Sequence, residues 1–198
     1  MPLRQQREHY TYADYATWPD DVRYELIGGE AWLMSPAPIQ RHQEICIEIL
    51  RQLADYLDDK ACRVFIAPFD VRLNAEAEDD TVVQPDLLVV CDKAKLNGKN
   101  CVGAPDMIVE VLSPATAKHD LITKLALYRR YGVREYWTVD PETMFVETHI
   151  LKDGDYIIRR YDSSGEVAVA IFDDCFINLD KVFRFRREEA ASEITNEK

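Results

Sequence analysis

A chain of 198 residues, 47% of them apolar, can bury one large core, so disorder is excluded as the default state. The formal net charge of −12 speaks against a uniformly basic nucleic-acid-binding surface, although a basic face can coexist with an acidic remainder. No stretch approaches the ~20 apolar residues of a membrane span, and Met1 to Arg7 lacks the apolar centre of a signal peptide, so the expectation is a cytoplasmic protein with no membrane partner.

In chain order, Thr11 to Trp18 reads as a short helix, with Thr11 and Asp14 spaced as a cap and Pro19 closing it. Tyr24 to Ile27 and Glu30 to Met34 flank Gly28-Gly29, a two-residue turn suited to positive φ, and predict a β-hairpin. Pro36 and Pro38 mark a loop. A helix is predicted from about Arg41 to Asp59, because His42, Ile45, Cys46, Ile49, Leu53, Tyr56 and Leu57 keep helical spacing. Val64 to Leu73 reads as a strand, Asn74 to Asp80 as an acidic turn, and Val82 to Val90 as a second strand. Cys91 to Pro105 is a loop, followed by a strand over Met107 to Leu112.

Ser113-Pro114 ends that strand. A helix from about Lys118 to Tyr131 carries Leu121, Leu125 and Tyr128 on one face. Tyr136 to Val139 is a further apolar strand, and the two could form a right-handed crossover around the helix. Phe145–Leu151, Tyr156–Tyr161 and Val167–Phe172 read as antiparallel strands. The predicted class is α/β, a mixed central sheet flanked by helices, in one domain over residues 1–187, with a polar tail at 188–198. Five scattered cysteines, Cys46, Cys62, Cys91, Cys101 and Cys175, contain no CxxC pair and are read as reduced packing residues.

Two carboxylates stand out. Asp86 and Glu110 each sit in an otherwise apolar run, where a charge is costly unless something binds it. Alternation puts Glu110 on a face with Ile108 and Leu112, and Asp86 on a face with Gln84 and Leu88. Two carboxylates converging from neighbouring strands point to a divalent cation. Lys124, beside the apolar stripe of the next helix, could lean back toward the strand end. The plainer reading is an Asp120–Lys124 surface pair at i, i+4. Glu25 is either a further acid or the solvent face of the hairpin, and alternation favours the latter. His42 is either a site residue or a hydrogen-bonded core residue, the commoner role. Gln84 could position a water or bind backbone. Trp18, Trp32 and Trp137 are expected to pack in the core. A phosphate-cradling glycine loop, a nucleophile elbow and metal-ligand spacing at His119 or His149 are all missing.

Several of these segments, in this order and spacing, resemble the bacterial Uma-two family, classed with endonucleases of the PD-(D/E)xK, restriction-endonuclease-like superfamily. They are Tyr24-Glu25-Leu26-Ile27-Gly28-Gly29-Glu30, Met34-Ser35-Pro36 with His42, Val83-Gln84-Pro85-Asp86-Leu87, and Gly103-Ala104-Pro105-Asp106 leading to Val109-Glu110-Val111-Leu112-Ser113-Pro114. Asp120, Lys124, Leu125, Tyr128 and Glu135 to Pro141 complete the likeness, which covers roughly residues 10 to 180.

The resemblance implies a restriction-endonuclease-like core and a catalytic set of Asp86, Glu110 and Lys124. Asp86 and Glu110 would hold Mg²⁺, with Mn²⁺ as a substitute. The chain departs from the simplest motif, which expects lysine where Leu112 stands; in similar proteins the next helix supplies it, and Lys124 occupies that place. Glu25 and His42 match family positions near the site, with Gln84 beside them. The implied partner is nucleic acid, DNA before RNA, and a homodimer would suit a cutter of two strands. Two other readings stand beside this one. One is an inactive nuclease-like fold that binds nucleic acid or protein; the other is a two-carboxylate hydrolase acting on another substrate, such as a glycoside.

Overall fold

Two glycines open the first sheet. Gly28 and Gly29 take φ of 57° and 81°, which lets β1 (Tyr24–Ile27) reverse into β2 (Glu30–Leu33) with Tyr24 opposite Leu33 and Ile27 opposite Glu30. The structure is a computed structural model and describes residues 9–19, 22–34, 39–113 and 120–185. The expected loop at Pro36 and Pro38, the helix start at Lys118 and the polar tail lie outside the described residues, as do the side chains of Asp120 and Leu121.

The first helix, α1 (Tyr12–Tyr15), is shorter than expected but capped as expected: the Asp14 carboxylate accepts from both the Thr11 N–H and the Thr11 hydroxyl at 3.1 Å. The long helix α2 (Gln40–Leu57) buries His42, Ile45, Cys46, Ile49, Leu53 and Leu57 of the predicted stripe, while Tyr56 is half-buried and Glu48, outside the stripe, is buried as well.

Two runs expected as single strands each split in two. The first becomes β3 (Arg63–Ile66) and β4 (Val71–Arg72), the second β5 (Val82–Val83) and β6 (Leu87–Val90). Pro68 and Pro85 lie in the breaks, and a proline offers no N–H to a ladder. The halves enter different sheets. β4 and β5 join β1, β2 and β7 (Cys101–Val102) in the order β2-β1-β5-β4-β7. β3 and β6 join β8 (Met107–Val111), β9 (Glu135–Asp140), β10 (Phe145–Lys152) and β11 (Asp155–Tyr161) in the order β11-β10-β9-β8-β6-β3. β8 and β9 are parallel, as the crossover requires, and the other pairs of this sheet are antiparallel. The last predicted strand is reduced to β12 (Glu166–Ala168), which leaves the main sheet and pairs with β13 (Phe176–Asn178), ahead of α4 (Leu179–Val182).

The six-stranded sheet is buried on both faces, which is why its central strands read as unbroken apolar runs. Leu87, Val89, Met107, Val109 and Val111 pack with α2 and the C-terminal elements. Leu88, Val90 and Ile108 pack on the other face with Val71 and Val83 of the five-stranded sheet and with Leu127, Tyr128 and Tyr136. The crossover segment begins as a π-helical turn over Asp120–Lys124 and continues as α3 (Leu125–Tyr131), closed by Gly132 at φ 80°. Its buried residues are Lys124, Leu127 and Tyr128, while Ile122 is exposed.

Three further expectations are corrected. Cys62 and Cys91 form a disulfide, leaving Cys46, Cys101 and Cys175 as buried free thiols. They stand one step beyond the Arg63–Val90 pair of β3 and β6, and a separation of 29 residues carries no sequence signal for such a contact. Trp32 lies exposed on edge strand β2, whereas Trp137 is fully buried and Trp18 packs on Tyr10 and Tyr24 at the surface. Glu25 does not face solvent: it is buried, pointing between the sheets.

Candidate active site

The break between β5 and β6 sets the position of Asp86. Leu87 pairs with Val109, so the residue before it falls opposite Glu110 on the antiparallel strand, and facing residues project to the same side. Asp86 thus lies at the mouth of the sheet rather than inside a continuous strand. Its Oδ2 accepts from the Val111 N–H at 2.8 Å and stands 3.2 Å from His42 Nε2. The side chain remains 21% exposed, and Oδ1 has no partner among the described residues, so one oxygen of this carboxylate faces outward.

Glu110 is buried at 4% exposure and lies deeper. Its Oε1 accepts from Lys124 Nζ at 2.9 Å and from the Tyr128 hydroxyl at 2.8 Å. Lys124 Nζ is also 2.9 Å from Glu25 Oε1. The ammonium therefore bridges a carboxylate of the six-stranded sheet and one of the five-stranded sheet. Lys124 is a buried residue and not the surface cation that the plainer reading expects. Its side chain is 5% exposed and turned into the notch, held there by its place at the end of the π-helical turn, a device frequent at functional sites.

Glu25 is held in place from the other side by the backbone N–H of Gln84, 3.0 Å from its Oε1. The Gln84 amide is itself fully engaged. Its Nε2 donates to Asp70 Oδ1 at 2.8 Å and to the Tyr15 hydroxyl at 2.9 Å, and its Oε1 accepts two bonds from Arg23. His42 reaches Asp86 through Nε2 while its Nδ1 lies 3.6 Å from Cys46 Sγ, so it serves as both a buried helix residue and a brace for the outer carboxylate.

The electrostatics favour a cation. Glu110 and Glu25 share one ammonium in a region of low solvent access, with Asp86 opposite Glu110 on the neighbouring strand, and buried charge of one sign is costly until it is matched. Burial, then the nearby Glu110 and Glu25, push the Tyr128 phenol well above its ordinary pKa, so it stays a donor to Glu110. Burial, then Asp86 and Glu110, likewise push the Cys46 thiol up.

Two donor sets are available to an ion. His42, Cys46 and Asp86 offer ligand atoms within 4.8 Å of one another. A thiol must lose its proton to bind a metal, and the surroundings of Cys46 oppose that loss. The Asp86 and Glu110 carboxylates offer oxygens only, the donors a hard divalent ion takes. The outward Oδ1 of Asp86 and the excess of carboxylates over ammonium fit such an ion better.

The six residues singled out in the sequence fall into two adjoining groups: Lys124 links Glu110 to Glu25, which the Gln84 backbone braces, and His42 holds Asp86, which the strand register sets opposite Glu110. Leu112, where the simplest motif has lysine, is buried and extends the ladder through its N–H to Val139. Arg23, Asp70, Tyr15 and the hydroxyl of Tyr128 were not anticipated as part of it. Tyr128 follows Lys124 by one helical turn, a signal that could have been used; Asp70 and Tyr15 carried none.

Comparisons with known proteins bear on the family and the fold. The sequence profile of the Uma2 family, described as "Putative restriction endonuclease", matches residues 12–176. An uncharacterized protein of Synechocystis sp., slr1290, is 24% identical over 158 residues, covering 78% of this chain and 81% of its own. A crystal structure described as a putative nuclease belonging to DUF820 from Anabaena variabilis superposes with a TM-score of 0.69 at 17% identity, covering 88% of this chain and 98% of that one. The mixed α/β core is thus of the restriction-endonuclease-like type. With most of its length matched by the profile, the chain belongs to the Uma2 family.

Proposed function

We propose that this protein is a metal-dependent endonuclease that hydrolyses phosphodiester bonds of DNA, with Asp86 and Glu110 holding Mg²⁺, or Mn²⁺ in its place, and Lys124 assisting at the reacting phosphate. The observation that carries this reading is the placement of Lys124 Nζ 2.9 Å from both Glu110 and Glu25, with the partly exposed Asp86 set opposite Glu110 by the strand register. When bound, such an ion lowers the pKa of a water and offsets charge on the phosphate.

The chain's own residues supply the rest. His42 and the Val111 N–H hold Asp86 Oδ2, which leaves Oδ1 directed outward. The Tyr128 hydroxyl fixes the rotamer of Glu110. Lys124, preorganised by two carboxylates, can orient the attacking water and donate to a non-bridging phosphate oxygen as negative charge grows there. Glu25, held by Gln84, keeps the ammonium charged and aimed.

The test is supercoiled plasmid incubated with Mg²⁺, Mn²⁺ or EDTA, comparing wild type with Lys124→Ala. Metal-dependent nicking that falls by roughly 10²-fold or more in the variant is expected, the size of loss typical for a group that stabilises transition-state charge. Cleavage in EDTA, or an unchanged rate in the variant, would refute the assignment.

Leu112 favours a second reading, in which the fold binds nucleic acid or protein without cutting. Calorimetric titration separates the two, because absence of Mg²⁺ and Mn²⁺ binding by the wild type leaves only the second. A homodimer is consistent with either reading. The edge strands β2 and β11 expose Trp32, Leu33, Ile157 and Ile158, apolar residues that a second copy can cover. No helix among the described residues is long and apolar enough to cross a membrane.

A further inference from the structure

Arg23 is an exposed cation whose guanidinium is held by two bonds, Nε at 3.0 Å and Nη2 at 2.7 Å, to a neutral acceptor, Gln84 Oε1. Among the described residues it makes no ion pair. That contrasts with Arg51, Arg72, Arg129 and Arg134, each of which is bound to a carboxylate. An arginine anchored without being neutralised keeps its full charge for something else.

The neighbouring bonds decide which way the Gln84 amide points. Asp70 Oδ1 accepts from both the Tyr15 hydroxyl at 3.0 Å and Gln84 Nε2 at 2.8 Å. A carboxylate can only accept, so the NH₂ side of Gln84 must face Asp70 and its oxygen must face Arg23. Burial and Asp70 push the Tyr15 phenol up, which keeps it protonated in its donor role. The result is a fixed seat: Tyr15 and Asp70 orient Gln84, and Gln84 orients Arg23.

The seat lies beside the notch. Arg23 continues the β1–β2 ladder, its carbonyl accepting from the Met34 N–H at 3.0 Å, so it stands two residues from Glu25 on the same face. Gln84 touches both, through its backbone to Glu25 and its side chain to Arg23. Two residues along a strand span roughly 7 Å, comparable to the step between neighbouring phosphates of a nucleic-acid strand.

We infer that Arg23 is a substrate-positioning residue, whose guanidinium, oriented by Gln84, clamps the backbone phosphate next to the one at the Lys124 ammonium. The inference rests on the nuclease reading and adds to it the contact that lets a chain of net charge −12 hold a polyanion at an acidic notch. A guanidinium matches a phosphate with paired N–H groups, and the anchoring bonds to Gln84 reduce the freedom lost on binding. The contact reads no base, so it acts on any sequence.

The experiment measures binding of a fluorescent 20-base-pair DNA duplex to the full chain in Ca²⁺ across a range of NaCl, for wild type, Arg23→Gln and Arg23→Lys, with plasmid cleavage in Mg²⁺ alongside. A residue that only braces Gln84 would leave the salt dependence unchanged. A phosphate contact predicts that Arg23→Gln lowers the slope of log K against log[salt] by about 0.9, weakens binding several-fold on unrelated duplexes and raises KM more than it lowers kcat. Arg23→Lys should restore the slope but not the full affinity, because an ammonium cannot take both bonds to Gln84 Oε1. An identical slope in wild type and Arg23→Gln overturns the inference while leaving the nuclease reading in place. Wild type that neither binds nor cuts DNA overturns both.

Discussion

Glu110 and Glu135 are buried carboxylates on neighbouring parallel strands, yet they are built for opposite ends. Glu110 on β8 meets an ammonium and a phenol, Lys124 and Tyr128, beside an outward-facing Asp86. Glu135 on β9 accepts instead from neutral donors, among them the Trp137 indole N–H at 2.7 Å and the Ile171 N–H at 2.9 Å. Burial accordingly raises the Glu135 carboxyl, with the backbone N–H groups of Ala170 and Ile171 and the Trp137 indole only partly offsetting it. Glu135 is a strut that fastens the segment before β13 to the sheet. The difference teaches that burial of an acid is not by itself a functional mark; what sets Glu110 apart, and supports the role proposed for it, is a charged partner and an open neighbour.

The comparison can be broken by substitution. The largest expected effect is on stability: Lys124→Met leaves Glu110 and Glu25 facing each other without the ammonium, at a cost of about 3–5 kcal/mol. Urea denaturation checks it, and adding Glu25→Gln should recover part of the loss. Almost as large is the effect of Glu110→Gln on catalysis. Cleavage should fall by roughly three orders of magnitude, about 4 kcal/mol of barrier, with the melting curve little changed. Glu135→Gln should do the reverse, leaving cleavage near wild type. It turns an acceptor-only group into an amide whose NH₂ faces a donor, which costs about 1–3 kcal/mol of stability. If both glutamates lowered cleavage equally at equal stability, the distinction drawn between them would be wrong.

Between these effects lies a pH-dependent one. His149 sits 2% exposed between Tyr136 and Tyr156, its ring nitrogens without partners among the described residues. Burial pushes its pKa from 6.5 down to about 4. The unfolded chain therefore binds a proton on this side chain that the folded one refuses. Stability from this group is full above pH 6.5 and lost as pH falls from 6.5 toward 4, by about 3 kcal/mol in all. Unfolding measured across that window should show a shallower acid decline for His149→Phe than for wild type.

Much of the site was legible because its residues break local rules. Asp86 and Glu110 interrupt apolar runs, and a departure of that kind needs a compensating partner. Lys124 was visible only as a cation near an apolar stripe, and spacing alone could not separate a surface pair from a buried bridge. Glu25 was misplaced by alternation, since a hairpin strand of four residues does not reveal whether its other face meets water or a second sheet. Cys62 and Cys91 gave no warning, because their meeting depends on the register of β3 against β6.

The sequence by itself determined the α/β class, the Gly28-Gly29 hairpin, the helix stripe of α2 and the identity of the two strand carboxylates, because periodicity, turn chemistry and misplaced charge are local properties of a chain. Only the tertiary structure decided that Pro68 and Pro85 send halves of two strands into different sheets. It also decided that Lys124 lies between Glu110 and Glu25, and that Arg23 donates to the neutral oxygen of Gln84. Those outcomes depend on which distant segments meet, and such meetings are set by packing and loop closure rather than by any neighbour in sequence.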